Sequence, residues 1–171
     1  MKRLAFAVAG LLAVTSFAAS TAEAQVRRGA AQGERGIAAG QIHDRQGPNG
    51  SRVVGGRGVV ADGNGNAAAG AVNCARTPNA QGCRAGATTR TADGAVNHRS
   101  GFAVEGDAGS ATSQGGFTKS ADGTIDQGRT TTATGQNGSV TVDGAYNSDT
   151  GRTRTVTCSD SSGAIVACPR N

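Results

Sequence analysis

The sequence predicts an all-β fold: an antiparallel up-and-down meander of long strands, as an open curled sheet or a small barrel, with a β-solenoid as the runner-up. Three observations predict it. Turn signals recur at intervals of about 12 to 16 residues. In the stretch 115–146 most residues are Thr, Val, Ile and Gly, and Thr, Val and Ile favour strands over helices. Asp122-Gly123 and Asn137-Gly138 are typical of two-residue hairpins, because a type I′ turn needs positive φ at both central residues.

The turn signals divide the chain into segments of about 12 residues, each long enough for one strand. Most segments contain Gly near the middle, which predicts a bend that neighbouring strands share. The predicted turns are Pro48-Asn49-Gly50, Asp62-Gly63, Pro78-Asn79, Asp93-Gly94, Asp107-Ala108-Gly109, Asp122-Gly123, Asn137-Gly138, Asp149-Thr150-Gly151 and Ser161-Ser162-Gly163.

Residues 1–24 are predicted to be a cleaved signal peptide. Met1-Lys2-Arg3 is basic, an apolar run follows, and Ala22-Glu23-Ala24 is a typical cleavage site. The apolar run is shorter than the roughly 18 residues that a membrane span needs, so no transmembrane span is expected after signal cleavage. The predicted location is therefore exported, either periplasmic or extracellular at the cell surface.

The remaining chain is predicted to have two parts. Residues 25–50 are rich in Gly, Ala and Arg without a clear period, which predicts a flexible segment. Residues 51–171 form the predicted β-repeat domain. The whole sequence carries a net charge of +5, with its Arg residues concentrated in the first half. That basic part has no aromatic residues for base stacking, so no nucleic-acid partner is expected.

The hairpin at Asp122-Gly123 predicts a strand register. A two-residue turn places Lys119 opposite Asp126 and Phe117 opposite Gly128. The first is a pair of opposite charges, and the second covers a glycine with an aromatic ring. Both favour a meander over disorder.

The next two hairpins place Tyr146 between two arginines. A turn at Asn137-Gly138 puts Arg129 opposite Tyr146, and a three-residue loop at Asp149-Thr150-Gly151 puts Arg154 there as well. This predicts a cation–π arrangement around the ring.

Carrying these registers along the chain assigns each side chain to a face, since side chains alternate faces along a strand. Ten of thirteen Val, Ile and Phe residues then share one face. The ten are Val53, Val59, Val72, Val96, Phe102, Val104, Ile125, Val140, Val142 and Val156, and the other three are Val54, Val60 and Phe117.

The four cysteines are Cys74, Cys83, Cys158 and Cys168. An even number in an exported chain predicts disulfides, with three possible connectivities. Turns between the members of each pair favour the local connectivities Cys74–Cys83 and Cys158–Cys168. No metal site is expected, because neither a C-x-x-C spacing nor a His cluster accompanies them.

No catalytic or cofactor-binding residues are predicted. The two histidines are His43 in the flexible segment and His98 on the more apolar face of a strand, and no G-x-S-x-G motif is present. The segment 62–66 begins like a calcium loop, but Ala67 and Asn73 fail the motif, and a hairpin turn explains it better.

Seven threonines are predicted to share the less apolar face and form a candidate binding face. A flat array of hydroxyls could bind ordered water or carbohydrate, although Thr also simply favours exposed strands. The residues are Thr130, Thr132, Thr134, Thr141, Thr153, Thr155 and Thr157.

Two short phrases resemble those of RHS/YD-repeat proteins. Gly128-Arg129-Thr130-Thr131-Thr132 is similar to their G-R-T-T-T phrase, and the segment 146–152 is similar to Y-D-x-x-G-R with one residue added. The chain also resembles uncharacterised secreted bacterial Gly/Thr-rich β-repeat proteins. The resemblance covers about residues 117–157 and implies repetitive β-structure, without an activity.

These observations predict an exported structural or adhesive β-repeat protein without enzymatic activity. The alternative is a binding module for an anionic or carbohydrate polymer or a small ligand. The expected partners are a cell-envelope polymer or further copies of the chain.

Overall fold

A computed structural model of the protein describes residues 24–34 and 36–169. Over these residues the chain forms one open sheet of eleven strands, in chain order, each antiparallel to its neighbours. The predicted meander is therefore confirmed, as an open sheet rather than a closed barrel or a solenoid. The predicted signal peptide lies outside the described residues apart from Ala24.

The strands are mostly ten or eleven residues long, and a short 3-10 turn at Pro48–Gly50 joins the second to the third. They are β1 (Gln25–Gly33), β2 (Gly36–Gln46), β3 (Arg52–Ala61), β4 (Ala67–Arg76), β5 (Ala80–Arg90), β6 (Val96–Gly106), β7 (Gly109–Lys119), β8 (Ile125–Gly135), β9 (Gly138–Asn147), β10 (Gly151–Asp160) and β11 (Ile165–Val166).

The predicted flexible segment 25–50 instead forms β1 and β2. These strands pair along their whole length with each other, and β2 pairs with β3. Small Gly and Ala residues fill them, so they carry little of the apolar alternation by which a strand is recognised. Backbone hydrogen bonds to a neighbouring strand do not need that pattern, and the segment joins the sheet.

Three hairpin loops share one hydrogen-bond design. In the loops 91–95, 120–124 and 160–164, the N–H of the first residue donates to the C=O of the fifth at 2.9 to 3.0 Å. The glycine at the fourth position, such as Gly123, has positive φ and donates its N–H to the C=O of the first residue. Glycine adopts that conformation without steric cost, which places the turn where the sequence predicts it.

This loop shifts the predicted register at Asp122-Gly123 by one residue. Phe117 lies opposite Gln127 and Lys119 opposite Ile125, one residue short of both predicted partners. The cause is a five-residue loop where a two-residue turn was expected. Because side chains alternate faces along a strand, a register shift of one residue places the side chains of one strand on the face opposite to the predicted one.

The register of β8 with β9 and the register of β9 with β10 each differ from the predicted one by two residues. Tyr146 lies opposite Gln127 on one side and Arg152 on the other, so its predicted pairing with Arg129 and Arg154 is wrong. The loop between β8 and β9 turns one residue nearer to the N-terminus, which changes each cross-strand partner by two, and neither of its central residues has positive φ. A shift of two residues leaves every side chain on its predicted face.

The two faces of the sheet differ in composition, as predicted. Ten of the thirteen Val, Ile and Phe residues share one face, but Phe117 belongs to the ten and Val72 to the three. Val72 changes face because the loop before β4 also has five residues. We call the richer side the apolar face; it consists of the odd-numbered residues of β2, β3, β4, β7 and β8 and the even-numbered residues of β1, β5, β6, β9 and β10. The opposite side is the threonine face.

The sheet is a single layer with almost no core. Among the described residues, only Gly55, Ser113 and Cys158 are buried. Phe102, one of the largest side chains of the apolar face, remains 41% exposed. The fold therefore depends on strand hydrogen bonds, cross-strand pairs and disulfides more than on burial of apolar surface.

Both predicted disulfides are present. Cys74 and Cys83 lie directly opposite each other on β4 and β5, and Cys158 on β10 is joined to Cys168 beyond β11. Two disulfides indicate an oxidising, exported environment. Among the described residues, no helix has the length and apolar character required to cross a membrane.

Candidate functional site

The seven predicted threonines all lie on the threonine face, as expected. The array is larger than predicted, because Thr112 on β7 extends it. Thr112, Thr132, Thr141 and Thr157 lie directly opposite one another across four consecutive strands and form one row. Neighbouring residues in such a row are about 4.8 Å apart, and rows two residues apart along a strand are about 6.8 Å apart.

Hydrogen bonds between side chains hold this array in place. The hydroxyls of Thr132 and Thr141 are 2.9 Å apart, and the Thr130 hydroxyl donates to an Asp143 carboxylate oxygen at 2.6 Å. Thr155 lies on the other side of Asp143 in the same row. Each hydroxyl can both donate and accept hydrogen bonds, so the array gives the threonine face regularly spaced donors and acceptors.

A groove of about 1,140 Å³ on the threonine face includes Thr130, Thr153 and Thr155 of the array and is lined by both polar and apolar groups. Its floor includes Gly116 and Gly128, which are directly opposite each other on β7 and β8. Its walls carry the Arg99 guanidinium together with amide, carboxylate and hydroxyl groups of Gln114, Thr118, Asp126, Thr130, Asp143 and Asn147. Uncharged polar ligands such as sugars match this mixture of donors and acceptors.

Charge is balanced on the threonine face. Its described strand residues include four basic and four acidic side chains. One pair, Arg52 and Asp44, forms a salt bridge, and the Arg52 guanidinium lowers the pKa of that carboxyl. The eight residues are Arg27, Arg52, Arg76, Arg99, Asp44, Glu105, Asp126 and Asp143.

Charge on the apolar face is strongly one-sided. Among its described strand residues, nine are basic and one is acidic, Asp160 at the last position of β10. The basic residues are Arg28, Arg45, Arg57, Arg84, Arg90, Lys119, Arg129, Arg152 and Arg154. The apolar face is thus also the cationic face of the sheet.

Glycines let some of these cations lie flat on the sheet. Gly115 separates Ser100 from Arg129 in one cross-strand row. The Arg129 guanidinium passes over it to donate to the Ser100 hydroxyl at 2.8 Å, and it also donates to the Ser113 hydroxyl at 2.9 Å. The positive charge is therefore held at a fixed place on the surface.

An apolar groove of about 790 Å³ lies at the β1 to β6 end of the apolar face. Ala30, Ala39 and Val59 line one side, while Arg28 and Arg57 line the other. The floor is the backbone of a row of glycines whose missing side chains would point to the threonine face. The groove combines an apolar wall with two guanidinium groups.

The two histidines lie on the apolar face, and one of them takes part in packing and hydrogen bonding. His98 lies on the apolar face, where its Nδ1 is 2.8 Å from the Thr88 hydroxyl and its ring stacks on Phe117 at a centroid distance of 5.5 Å. His43 lies opposite Gly55. No group of three His, Cys, Asp or Glu residues in the described chain is arranged to hold a metal ion.

The turn aspartates act as caps for the backbone. At the segment that begins like a calcium loop, the Asp62 carboxylate accepts bonds from the Asn66 side chain at 2.6 Å and from the N–H of Asn64 at 2.8 Å. These bonds lower the pKa of Asp62. The same kind of bonding lowers the pKa of Asp122, chiefly through the Thr124 N–H, and of Asp160, chiefly through the Ser162 hydroxyl.

This capping predicts a loss of stability in acid. The folded pKa lies below the unfolded one, so the stabilisation is complete above about pH 5 and is lost as the pH falls through about 4 and below. We expect the urea midpoint to fall over that range. In the Asp122→Asn, Asp160→Asn variant the drop should be smaller, because the amide oxygen still accepts the N–H bonds but does not titrate. An equal drop in both proteins would contradict this.

Sequence reasoning found the threonines but missed the separation of charge between the faces. The predicted registers could not have revealed it, because five-residue loops move Arg76, Arg84, Arg90 and Lys119 to the face opposite the predicted one. No protein-family model matches the chain, and no similarity to a curated protein or to a solved structure is detected.

Proposed function

We propose that the chain is an exported, non-enzymatic adhesive protein of the bacterial periplasm or cell surface, with a structural role in the cell envelope. One observation carries this proposal: a single-layer sheet leaves two broad faces open to solvent, and the faces differ in chemistry. Such an architecture offers a large contact area for its length. The disulfides suit a protein that works outside the cytoplasm.

A second candidate function is binding of a carbohydrate polymer by the threonine face. It is favoured by the groove beside the threonine row, whose walls carry several hydrogen-bonding side chains. A linear polymer could lie along this groove and exchange its water contacts for the amide, carboxylate and hydroxyl groups of the walls. The neutral charge balance of this face suits an uncharged sugar chain better than a polyanion.

Sedimentation with cell-envelope fractions tests the adhesive function. The oxidised, exported protein should co-sediment with purified peptidoglycan or with outer-membrane vesicles, and a control protein of the same charge should remain in solution. Retention by neither fraction would contradict the proposal.

A threonine-to-valine variant tests the carbohydrate alternative. Thr153→Val with Thr155→Val removes two threonine hydroxyls that line the groove and keeps the shape of the side chains. We expect retention on peptidoglycan to fall about tenfold if each lost hydrogen bond contributes the usual 0.5 to 1 kcal/mol. Thr89→Val, on the same face but outside the array, is the matched control. Equal retention of both variants would exclude the groove as the binding surface.

A further inference from the structure

We propose that the apolar face docks on an anionic lipid bilayer, with the guanidinium groups at the lipid phosphates and the aliphatic side chains at the acyl boundary. This inference rests on the proposed adhesive function and names its partner. The observations that carry it are the sorting of charge between the faces and the position of Arg84, Arg90 and Lys119 beside apolar side chains.

The sorting of charge selects an anionic partner. Nine basic side chains and one carboxylate share the apolar face, while the threonine face balances four against four. A surface with this excess attracts phosphate headgroups, and it loses attraction as salt screens the charges. Random placement of the strand cations would have divided them about equally between the faces.

A second copy of the chain is a poor occupant of this face. Stacking two apolar faces would bring nine cations of one copy close to nine of the other, which like-charge repulsion opposes. Stacking an apolar face on a threonine face would offer those nine cations only four carboxylates, one of which, Asp44, is already paired with Arg52. Neither arrangement neutralises the excess charge.

The apolar side chains select a lipid over a soluble polyanion. Arg84 lies directly opposite Phe102, and Val96 lies between Arg90 and Lys119 in one row. Phe102 is 41% exposed and would stay in water against a nucleic acid or an acidic polysaccharide. At a bilayer surface, by contrast, long cationic side chains reach the phosphates while neighbouring apolar groups enter the headgroup region.

The apolar groove on this face also combines cationic and apolar side chains. Its apolar side is formed by Ala30, Ala39 and Val59, and Arg28 and Arg57 form the other. A recess of about 790 Å³ with this lining suits part of one acyl chain with its phosphate near the guanidinium groups.

Vesicle flotation provides the test. The oxidised, exported protein is mixed at low ionic strength with vesicles of phosphatidylglycerol and phosphatidylcholine, or of phosphatidylcholine alone. We expect binding to the anionic vesicles only, weakening as salt rises. Arg84→Gln with Arg154→Gln should weaken it about 30-fold, since each basic residue near such a surface contributes a factor of about five. Arg76→Gln with Arg99→Gln removes the same charge from the threonine face and should change binding less than about threefold.

The single tyrosine supplies a readout that needs no substitution. Tyr146 is the only Tyr in the sequence, which contains no Trp. The Tyr146 ring lies on the apolar face, and the residue is 41% exposed. Quenching of its fluorescence by acrylamide should fall when anionic vesicles are added. Unchanged quenching of the vesicle-bound protein would place the contact on another face and overturn the proposal.

The remaining outcomes separate this proposal from the adhesive function. Retention on envelope fractions without binding to anionic vesicles would overturn lipid docking and leave the adhesive function standing. Binding to heparin but not to the vesicles would assign the face to a soluble polyanion instead. Equal weakening by the two double variants would show that net charge alone matters and would also overturn the proposal. Failure to bind either envelope fractions or vesicles would overturn both.

Discussion

Replacing Cys74 and Cys83 by Ser is expected to lower the free energy of unfolding of the oxidised protein by about 2–3 kcal/mol. The disulfide joins directly opposed residues of β4 and β5 that are 9 apart in the chain. Its loss frees the unfolded chain, and the sheet has no buried core to compensate. Urea unfolding followed by circular dichroism measures the effect as a fall in the midpoint. An unchanged midpoint would contradict it.

The second disulfide provides a matched comparison. Cys158 and Cys168 are 10 residues apart, so their replacement changes the unfolded chain by a similar amount. However, β11 pairs with β10 through only two residues. We expect the Cys158→Ser, Cys168→Ser variant to lose hydrogen-exchange protection mainly in β11 and at the end of β10. Equal loss of protection in β4 and β5 would contradict this local effect.

Gly116→Ala is expected to destabilise the sheet by about 2–3 kcal/mol. A Cβ built on Gly116 would overlap the carbonyl oxygen of His98 on β6, and that oxygen is part of the backbone and has no freedom to rotate away. The β6–β7 ladder would therefore have to separate locally. The fall in the urea midpoint should be accompanied by faster hydrogen exchange in β6 and β7.

Gly128→Ala is the control for Gly116→Ala. The two glycines are directly opposite each other on the threonine face, but a Cβ on Gly128 has no atom within 4 Å. The substitution reduces the freedom of the unfolded chain and should leave stability unchanged or raise it by about 0.5 kcal/mol. A similar loss from both variants would show that close backbone approach is not the reason for the glycine at 116.

The positions of the turns could be predicted from the sequence, but the pairing of the strands could not. Gly123 and Gly163 do take the positive φ that their Asp-Gly and Ser-Gly signals indicate. Asn137 does not, because the loop there uses Gly138 at its end instead. A turn dipeptide such as Asp-Gly predicts the position of a chain reversal to within one or two residues. The register depends on which hydrogen bond closes the loop, and several closures satisfy the same signal.

The candidate sites illustrate the same limit. The threonines of β8 to β10 were assigned to one face correctly, because the register errors between these strands are even numbers of residues. Phe117 and Val72 were assigned wrongly, because five-residue loops shift those registers by an odd number. Grooves and cation rows extend over many strands, so each added loop compounds the uncertainty. Only the structure gives the register of every strand pair, and therefore the place of these grooves and rows.

The dependence of each strand mainly on its chain neighbours has a consequence for the size of the protein. Substantial contacts join only strands that follow each other in the sequence, and two successive strands return the chain to the same end of the sheet. A hairpin could therefore be duplicated or lost without disturbing the rest, as in other linear repeat architectures. Each such event would change the width of the sheet by about 10 Å. The area available for attachment is thus set by the number of hairpins, and selection could adjust it one hairpin at a time.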